Sequence, residues 1–326
     1  MPAKTMRKAA TIMTSTITFG SRGSALARRQ TALVAEMLQK TSPQVITRTV
    51  ILSTQGDREL TKALPQIGGK GLFTAELEAA LRRGEIDLAV HSLKDLPVEE
   101  TPDLIIGAIL PREEPGDVLI SRAGYTLAAL PPRASVGSSS LRRAAQLRII
   151  QPELQILPLR GNIDTRLAKA LAEDGAYDAI VLAAAGLNRL GLERHISQYI
   201  PYELMLPAPG QGAIAVQCRA NDRAILDQLA QIDHFPTRQA VLAERSFLSA
   251  LGAGCSLPVA ALGRVEGDAL TLQGLVASLD GRQVVRVNQQ GLANQPEPAG
   301  RELAQKALAH GAQAILEASR VVSPAR

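Results

Sequence analysis

A chain of 326 residues is too long for one ordinary hydrophobic core and fits two or three domains. Apolar residues at 46% suffice for globular folding, yet no apolar run is long enough to span a bilayer, and 2% aromatics supply no stacking platform for single-stranded nucleic acid. The net charge of +5 is unevenly placed, because Lys4, Arg7, Lys8, Arg22, Arg28 and Arg29 all precede the first acidic residue, Glu36. Residues 1–14 read as a frayed tail without the apolar core of a secretory signal. Cys218 and Cys255 are too few for a disulfide scaffold, so a reducing, cytoplasmic setting is expected. His91, His195, His234 and His310 are scattered, with no zinc-type spacing to either cysteine, and no metal is expected.

In chain order, Ser15 to Phe19 reads as a strand, followed by a Gly/Ser turn and a helix whose Leu26, Leu33, Val34, Met37 and Leu38 share a face. Val45 to Leu52 is the next strand, then a glycine-rich loop at Gly68 to Gly71, a helix near Thr74 to Arg83 and the strand Ile86 to Val90. Strands alternating with helices predict βαβ units and a mainly parallel sheet. Pro111 to Gly116 reads as a linker. Beyond it come strands Val118 to Ser121, Ser135 to Gly137, Gln155 to Leu159 and Ala179 to Ala183, with a helix from about Ser140 and another after Leu159. A second break, Pro207 to Gly212, precedes the strand Ala213 to Gln217, which predicts two α/β lobes around a cleft with the chain returning to the first.

The last segment changes character. A helix over Arg238 to Leu251 leads into a small-residue loop holding Cys255, then a hairpin from Ala269 to Val276 and Gln283 to Val287 about an Asp280-Gly281 turn, and a final helix over Glu297 to Ala318. The expected domains are 15–112 with 212–232, 116–207, and 236–326.

Several arginines fall where strands end and helices begin: Arg22 beside Ser24, Arg142 and Arg143 after Ser138 to Ser140, Arg160 before Gly161-Asn162, and Arg166 one turn later. Helix N-termini favour anions, and guanidinium forks suit carboxylate or phosphate. Gly68-Gly69-Lys70-Gly71 lacks the spacing of a nucleotide-binding loop and reads as a flap. His91-Ser92-Leu93-Lys94-Asp95-Leu96-Pro97 closes a strand, where Asp95 could exchange protons and Lys94 supply a cation; His91 alone reads as structural. Small neighbours leave Cys255 accessible, although no base lies near it in sequence, and Cys218 reads as a small core residue.

These stretches, with Gly20 to Leu26, Ile67 to Leu77, His91 to Pro97, Val136 to Arg143, Leu159 to Asn162, Ala185 to Gly191, Pro209 to Ala213 and Glu244 to Pro258, resemble the porphobilinogen deaminase (hydroxymethylbilane synthase) family over nearly the whole chain. Ala253 stands where that family usually has Gly, and Leu257 where it has Ile, Val or Thr. The resemblance implies three α/β-type domains, the first two like type II periplasmic binding proteins and the third a small α+β domain. It also implies a transferase that joins four porphobilinogen molecules head to tail, releasing ammonia, into hydroxymethylbilane for haem and chlorophyll synthesis.

By the same resemblance Cys255 carries a covalent dipyrromethane cofactor through a thioether, with Lys94, Asp95, Ser140, Arg142 and Arg143 around it. Asp95 matches the catalytic aspartate, which assists the leaving amine, stabilises an azafulvenium-like cation and helps remove the ring proton. Arg22, Ser24, Arg160, Arg166, Arg189, Gln211, Lys70 and Phe73 match substrate-binding positions. A monomer that hands its product to uroporphyrinogen III synthase is expected, with hinge motion at the two breaks. The residues alone leave other readings open: a two-lobed anion-binding protein needing neither Cys255 nor Asp95, a nucleic-acid binder resting on the basic excess, and a cysteine hydrolase.

Overall fold

The computed structural model describes residues 16–54, 56, 74–99, 101–253 and 257–322. The first lobe is a sheet of β1 (Thr16–Ser21), β2 (Ile46–Ile51), β3 (Leu88–Ser92), β4 (Leu104–Ile109) and β10 (Ile214–Arg219), in the order β2-β1-β3-β10-β4. Helix Ala25–Thr41 opens where the Ser24 hydroxyl accepts the Ala27 N–H at 3.2 Å, and its buried Gln30, Thr31, Val34 and Leu38 lie on one helical face. Val34 and Leu38 pack with Phe19, Leu88 and Val216 into one core.

The second lobe repeats the plan with β5 (Asp117–Ile120), β6 (Ser135–Gly137), β7 (Gln155–Leu157), β8 (Ala179–Ala183) and β9 (Gln198–Tyr199), in the order β7-β6-β8-β5-β9. Both sheets are mixed rather than mainly parallel. In each, three parallel strands are followed by an antiparallel one, β10 against β3 and β5 against β8. A helical crossover within one sheet delivers a parallel strand, but β5 and β10 arrive from the opposite lobe and are free of that constraint.

The third unit is an antiparallel meander of β11 (Val259–Glu266), β12 (Ala269–Ala277) and β13 (Val284–Leu292), covered by helices Phe235–Ala250 and Pro296–Ala309 around Phe247, Leu272 and Leu303. The hairpin follows the alternation of the sequence, since Leu270 and Leu272 are buried and Thr271 and Gln273 exposed. Strand β11 escapes the sequence reading because Val259 to Gly263 are all buried: Val259 and Ala261 face the core of this unit, whereas Ala260 and Leu262 pack with Ala145 and Leu206 of the second lobe. A strand covered on both faces loses its alternation. The single final helix is in fact two, Pro296–Ala309 and Ala312–Val322, parted at Gly311, whose φ of 93° is left-handed.

The two crossings between lobes lie against each other. Glu113 donates its N–H to the Gly212 carbonyl at 3.1 Å, and a Cβ on Gly212 (φ 87°) would sit 2.3 Å from the Glu113 oxygen. Arg112 on the first crossing donates to the Gln211 carbonyl on the second at 2.9 Å and pairs with Glu244 of the third unit at 2.6 Å. The fully buried Glu244 also accepts the N–H groups of Gly210 and Gly263. One carboxylate thereby ties both crossings to the third unit.

Candidate functional site

At the end of β3 the chain tightens into a short 3-10 turn, Leu93–Asp95. Leu93 is fully buried and anchors the turn, which leaves Asp95 exposed and Lys94 half-buried. Residues His91 and Ser92, expected just past the strand, belong to it: Ser92 pairs with Ile214, and its hydroxyl accepts from the Gln30 amide at 2.9 Å. Arg22, Ser24, Gln30, His91, Ser92 and Asp95 line one small cavity. Among the described residues the buried His91 Nε2 has no hydrogen-bond partner, and burial, with Arg22 adding to it against the opposing effect of Gln217, lowers the His91 pKa to about 4. Its imidazole is therefore neutral at physiological pH.

The second lobe brings its arginines to the same place. Ser140 caps helix Leu141–Ile150, its hydroxyl accepting the Arg143 N–H at 3.4 Å, and Asn162 caps Ile163–Leu171. Arg142 and Arg143 thus occupy the first turn of a helix, and both are buried. They do not face solvent as open cations, because both are bonded to Asp117. Arg142 Nη1 donates to Asp117 Oδ2 at 2.7 Å, and Arg143 donates through Nε and Nη2 to Oδ1 at 3.1 and 2.7 Å. Gln211 Nε2 completes the shell of Oδ1 at 2.9 Å, while Gln211 Oε1 accepts from Lys94 Nζ at 3.2 Å. Burial alone would raise the Asp117 pKa, but the two guanidiniums hold it well below the usual carboxylate range.

Lys94 joins the two clusters. Burial lowers its pKa to about 8; Asp95 and Asp117 oppose the shift, and Arg143 and Arg142 add to it. Arg166 feels the same neighbourhood: burial lowers its pKa to about 10, with Arg143 and Arg160 reinforcing and Asp95 opposing. Asp95 and Lys94 from the first lobe and Arg142, Arg143, Arg160 and Arg166 from the second therefore share one electrostatic field. Arg166 Nε also donates to the Gly161 carbonyl at 2.8 Å, which fixes the direction of its fork.

Two expected site residues, Arg189 and Gln211, bond to the crossings. Arg189 donates from Nη2 to the Gly212 carbonyl at 2.6 Å, and burial lowers its pKa to about 10 against the opposing charge of Glu113. Gln211 is fully buried and spans both crossings, reaching the Pro115 carbonyl at 2.6 Å as well as Asp117. Lys70, Phe73 and Cys255 lie outside the described residues. The flanks of the cysteine segment are anchored: Ala253 and Leu257, the two departures from the resembled pattern, are buried in the core of the third unit. Cys218 is buried as expected, which raises its pKa to about 11.

Sequence reasoning missed Asp117, Arg112 and Glu244. A signal existed for the first: an aspartate opening the apolar run Val118-Leu119-Ile120 needs buried cationic partners. Among the described residues no group of His, Cys, Asp and Glu could hold a metal ion, and no helix is long and apolar enough to cross a membrane.

Comparison with known proteins places the sequence. A family model described as porphobilinogen deaminase, dipyromethane cofactor binding domain, matches residues 17–227, and the model of the porphobilinogen deaminase C-terminal domain matches 238–309. A porphobilinogen deaminase of Moorella thermoacetica is 55% identical over 301 residues, 92% of this chain and 96% of its own. That of Desulforudis audaxviator is 50% identical over 300 residues, again 92% and 96% of the two chains. A Roseiflexus protein of the same name is 48% identical over 304 residues, 93% and 99% of the two.

Proposed function

The chain belongs to the porphobilinogen deaminase family, and from that membership we propose the part each site residue plays. The reaction is the family's: four porphobilinogen molecules are joined head to tail, with release of ammonia, into hydroxymethylbilane for tetrapyrrole synthesis, on a covalently held dipyrromethane. The observation that carries the residue roles is the bonded chain from Lys94, beside Asp95 in the turn of one lobe, through Gln211 to Asp117 and on to Arg142 and Arg143 of the other lobe.

Dipyrromethane supplies the free pyrrole end to which the first substrate is joined. The donor set fits such a group: pyrroles bearing acetate and propionate arms need several cations, and the buried Arg142 Nε has no partner among the described residues. Lys94, Ser140, Arg142 and Arg143 hold its carboxylates, and Cys255 is its thioether anchor. Arg22, Ser24, Arg160 and Arg166 receive the carboxylates of incoming substrate, and Lys70 and Phe73, at the matching family positions, also bind it. Arg189 and Gln211 serve the same site from the crossings, by setting how the lobes meet.

Asp95 is the catalytic group. As an exposed carboxylate at the cavity shared with Arg22 and Ser24, it assists protonation of the leaving amine, balances the positive charge that departure creates and takes up the ring proton after coupling. His91, buried and neutral, carries no imidazolium proton to give the leaving amine.

The working unit has domains 15–112 with 212–232, 116–207, and 236–326; it acts as a cytoplasmic monomer and passes its product to uroporphyrinogen III synthase. Size-exclusion chromatography of the loaded enzyme checks the monomer. The decisive experiment is the intact mass of the denatured protein. An increment of two linked pyrrole units, absent in Cys255→Ser, is expected, and a fully active chain without an adduct overturns the assignment.

A further inference from the structure

A cation in the first turn of a helix faces the positive end of the helix dipole. Helix Leu141–Ile150 places Arg142 and Arg143 there, carries no acidic residue in its own first turn and buries both side chains. Two adjacent guanidiniums removed from water stay charged and ordered only beside a counter-ion. Asp117 is that counter-ion, and it comes from another element: it opens β5 immediately after the first crossing and is itself 1% exposed.

The pattern of its bonds goes beyond neutralisation. Arg143 commits its Nε and Nη2 edge to Asp117 and its Nη1 to the Val181 carbonyl at 3.1 Å. Arg142 commits only Nη1, to Asp117 and to the Leu206 carbonyl at 2.6 Å, which leaves its Nε unsatisfied. Through Gln211 the same carboxylate reaches Lys94, so three cations of the anion site are referred to one fixed point that joins both lobes.

We propose that Asp117 is a positioning residue for the reaction: its carboxylate sets the placement of Arg142, Arg143 and, through Gln211, Lys94 before any ligand carboxylate arrives. The inference rests on the function proposed above. Donors already oriented in this way spare the ligand the cost of ordering them. Asp117 touches neither substrate nor cofactor in this role and acts only through the cations.

The test compares the full-length wild type with Asp117→Glu and Asp117→Asn, each prepared without cofactor and incubated with porphobilinogen. Loading is read as adduct mass in the denatured chain, and KM and kcat are measured on the loaded enzyme. Asp117→Glu keeps the charge but extends it by a methylene, so loading is expected to slow and KM to rise, each by ~10-fold, the loss of about one charge-assisted hydrogen bond. Its kcat stays within about twofold, because Asp95 is untouched. A purely structural role predicts the reverse split: fewer active molecules, lower kcat per total protein, and unchanged KM and loading per folded chain. That result, or variants that load and bind as the wild type does, overturns the proposal. If Asp117→Asn fails to fold, Asp117→Glu decides alone. A wild type that acquires no adduct overturns the proposed function itself, and this inference with it.

Discussion

Asp95 and Asp117 both neighbour Lys94, yet their surroundings are opposite. Asp95 is exposed at the end of a strand and lines a cavity. Asp117 is buried, with both oxygens bonded to arginine and one also to Gln211, so its charge is spent internally. An accessible carboxylate can exchange protons with a ligand, whereas a buried one with both oxygens bonded can only hold its partners in place. Glu244 belongs with Asp117: fully buried, it accepts from Arg112 and from two backbone N–H groups.

The division breaks most visibly at Glu244. Glu244→Gln leaves the nearly buried Arg112 without its counter-charge, and a loss of about 3–5 kcal/mol in unfolding free energy is expected from urea titration. A loss below about 0.5 kcal/mol, the range of ordinary surface changes, would place Glu244 with Asp95 instead. Asp95→Asn is next and affects activity alone. Turnover of porphobilinogen should fall by about 100-fold or more, with unfolding free energy unchanged to within about 0.5 kcal/mol. Equal losses in both quantities would erase the contrast.

The smallest effect lies between the two carboxylates. Lys94 has a folded pKa of about 8, below the ordinary 10.5, so it binds its proton more weakly folded than unfolded. Its charging cost is therefore present below pH ~8 and relieved as pH rises from there towards the unfolded value, so stability rises with pH across that window. Binding runs the other way, since the site loses a cation as pH passes ~8. Loading of the cofactor-free chain by porphobilinogen should slow up to ~10-fold from pH 7 to pH 9, and Lys94→Arg, which stays charged, should flatten that fall. A wild-type loading rate that is level across this range removes Lys94 from the cations around the cofactor.

Much of this site could be read from the chain. Strands and caps put Arg22, Arg142, Arg143, Arg160 and Arg166 at helix starts, and residue order alone shows that pattern. What the order does not show is which arginine is already engaged. Arg142 and Arg143 stand at a helix start with nothing nearby in sequence to name their partner, which is Asp117, 25 or more residues away. Arg189 is marked in the sequence only by the family resemblance, and its fork reaches a crossing that only the returning chain brings near. Strand β11 was hidden because packing on both faces removed its alternation, and the break at Gly311 because one glycine in a helical pattern does not by itself announce a stop.

The sequence by itself determined the two α/β lobes, the double crossing, the small third unit, the family and the residue types of an anion site. Those properties rest on local periodicity and short motifs, which are written into neighbouring residues. The tertiary structure decided the antiparallel strands that join the lobes, the bonding of both crossings to Glu244 and the commitment of two arginines to Asp117. Each depends on groups far apart in the chain meeting out of water, where an unpaired charge is costly and every partner must be supplied by the fold.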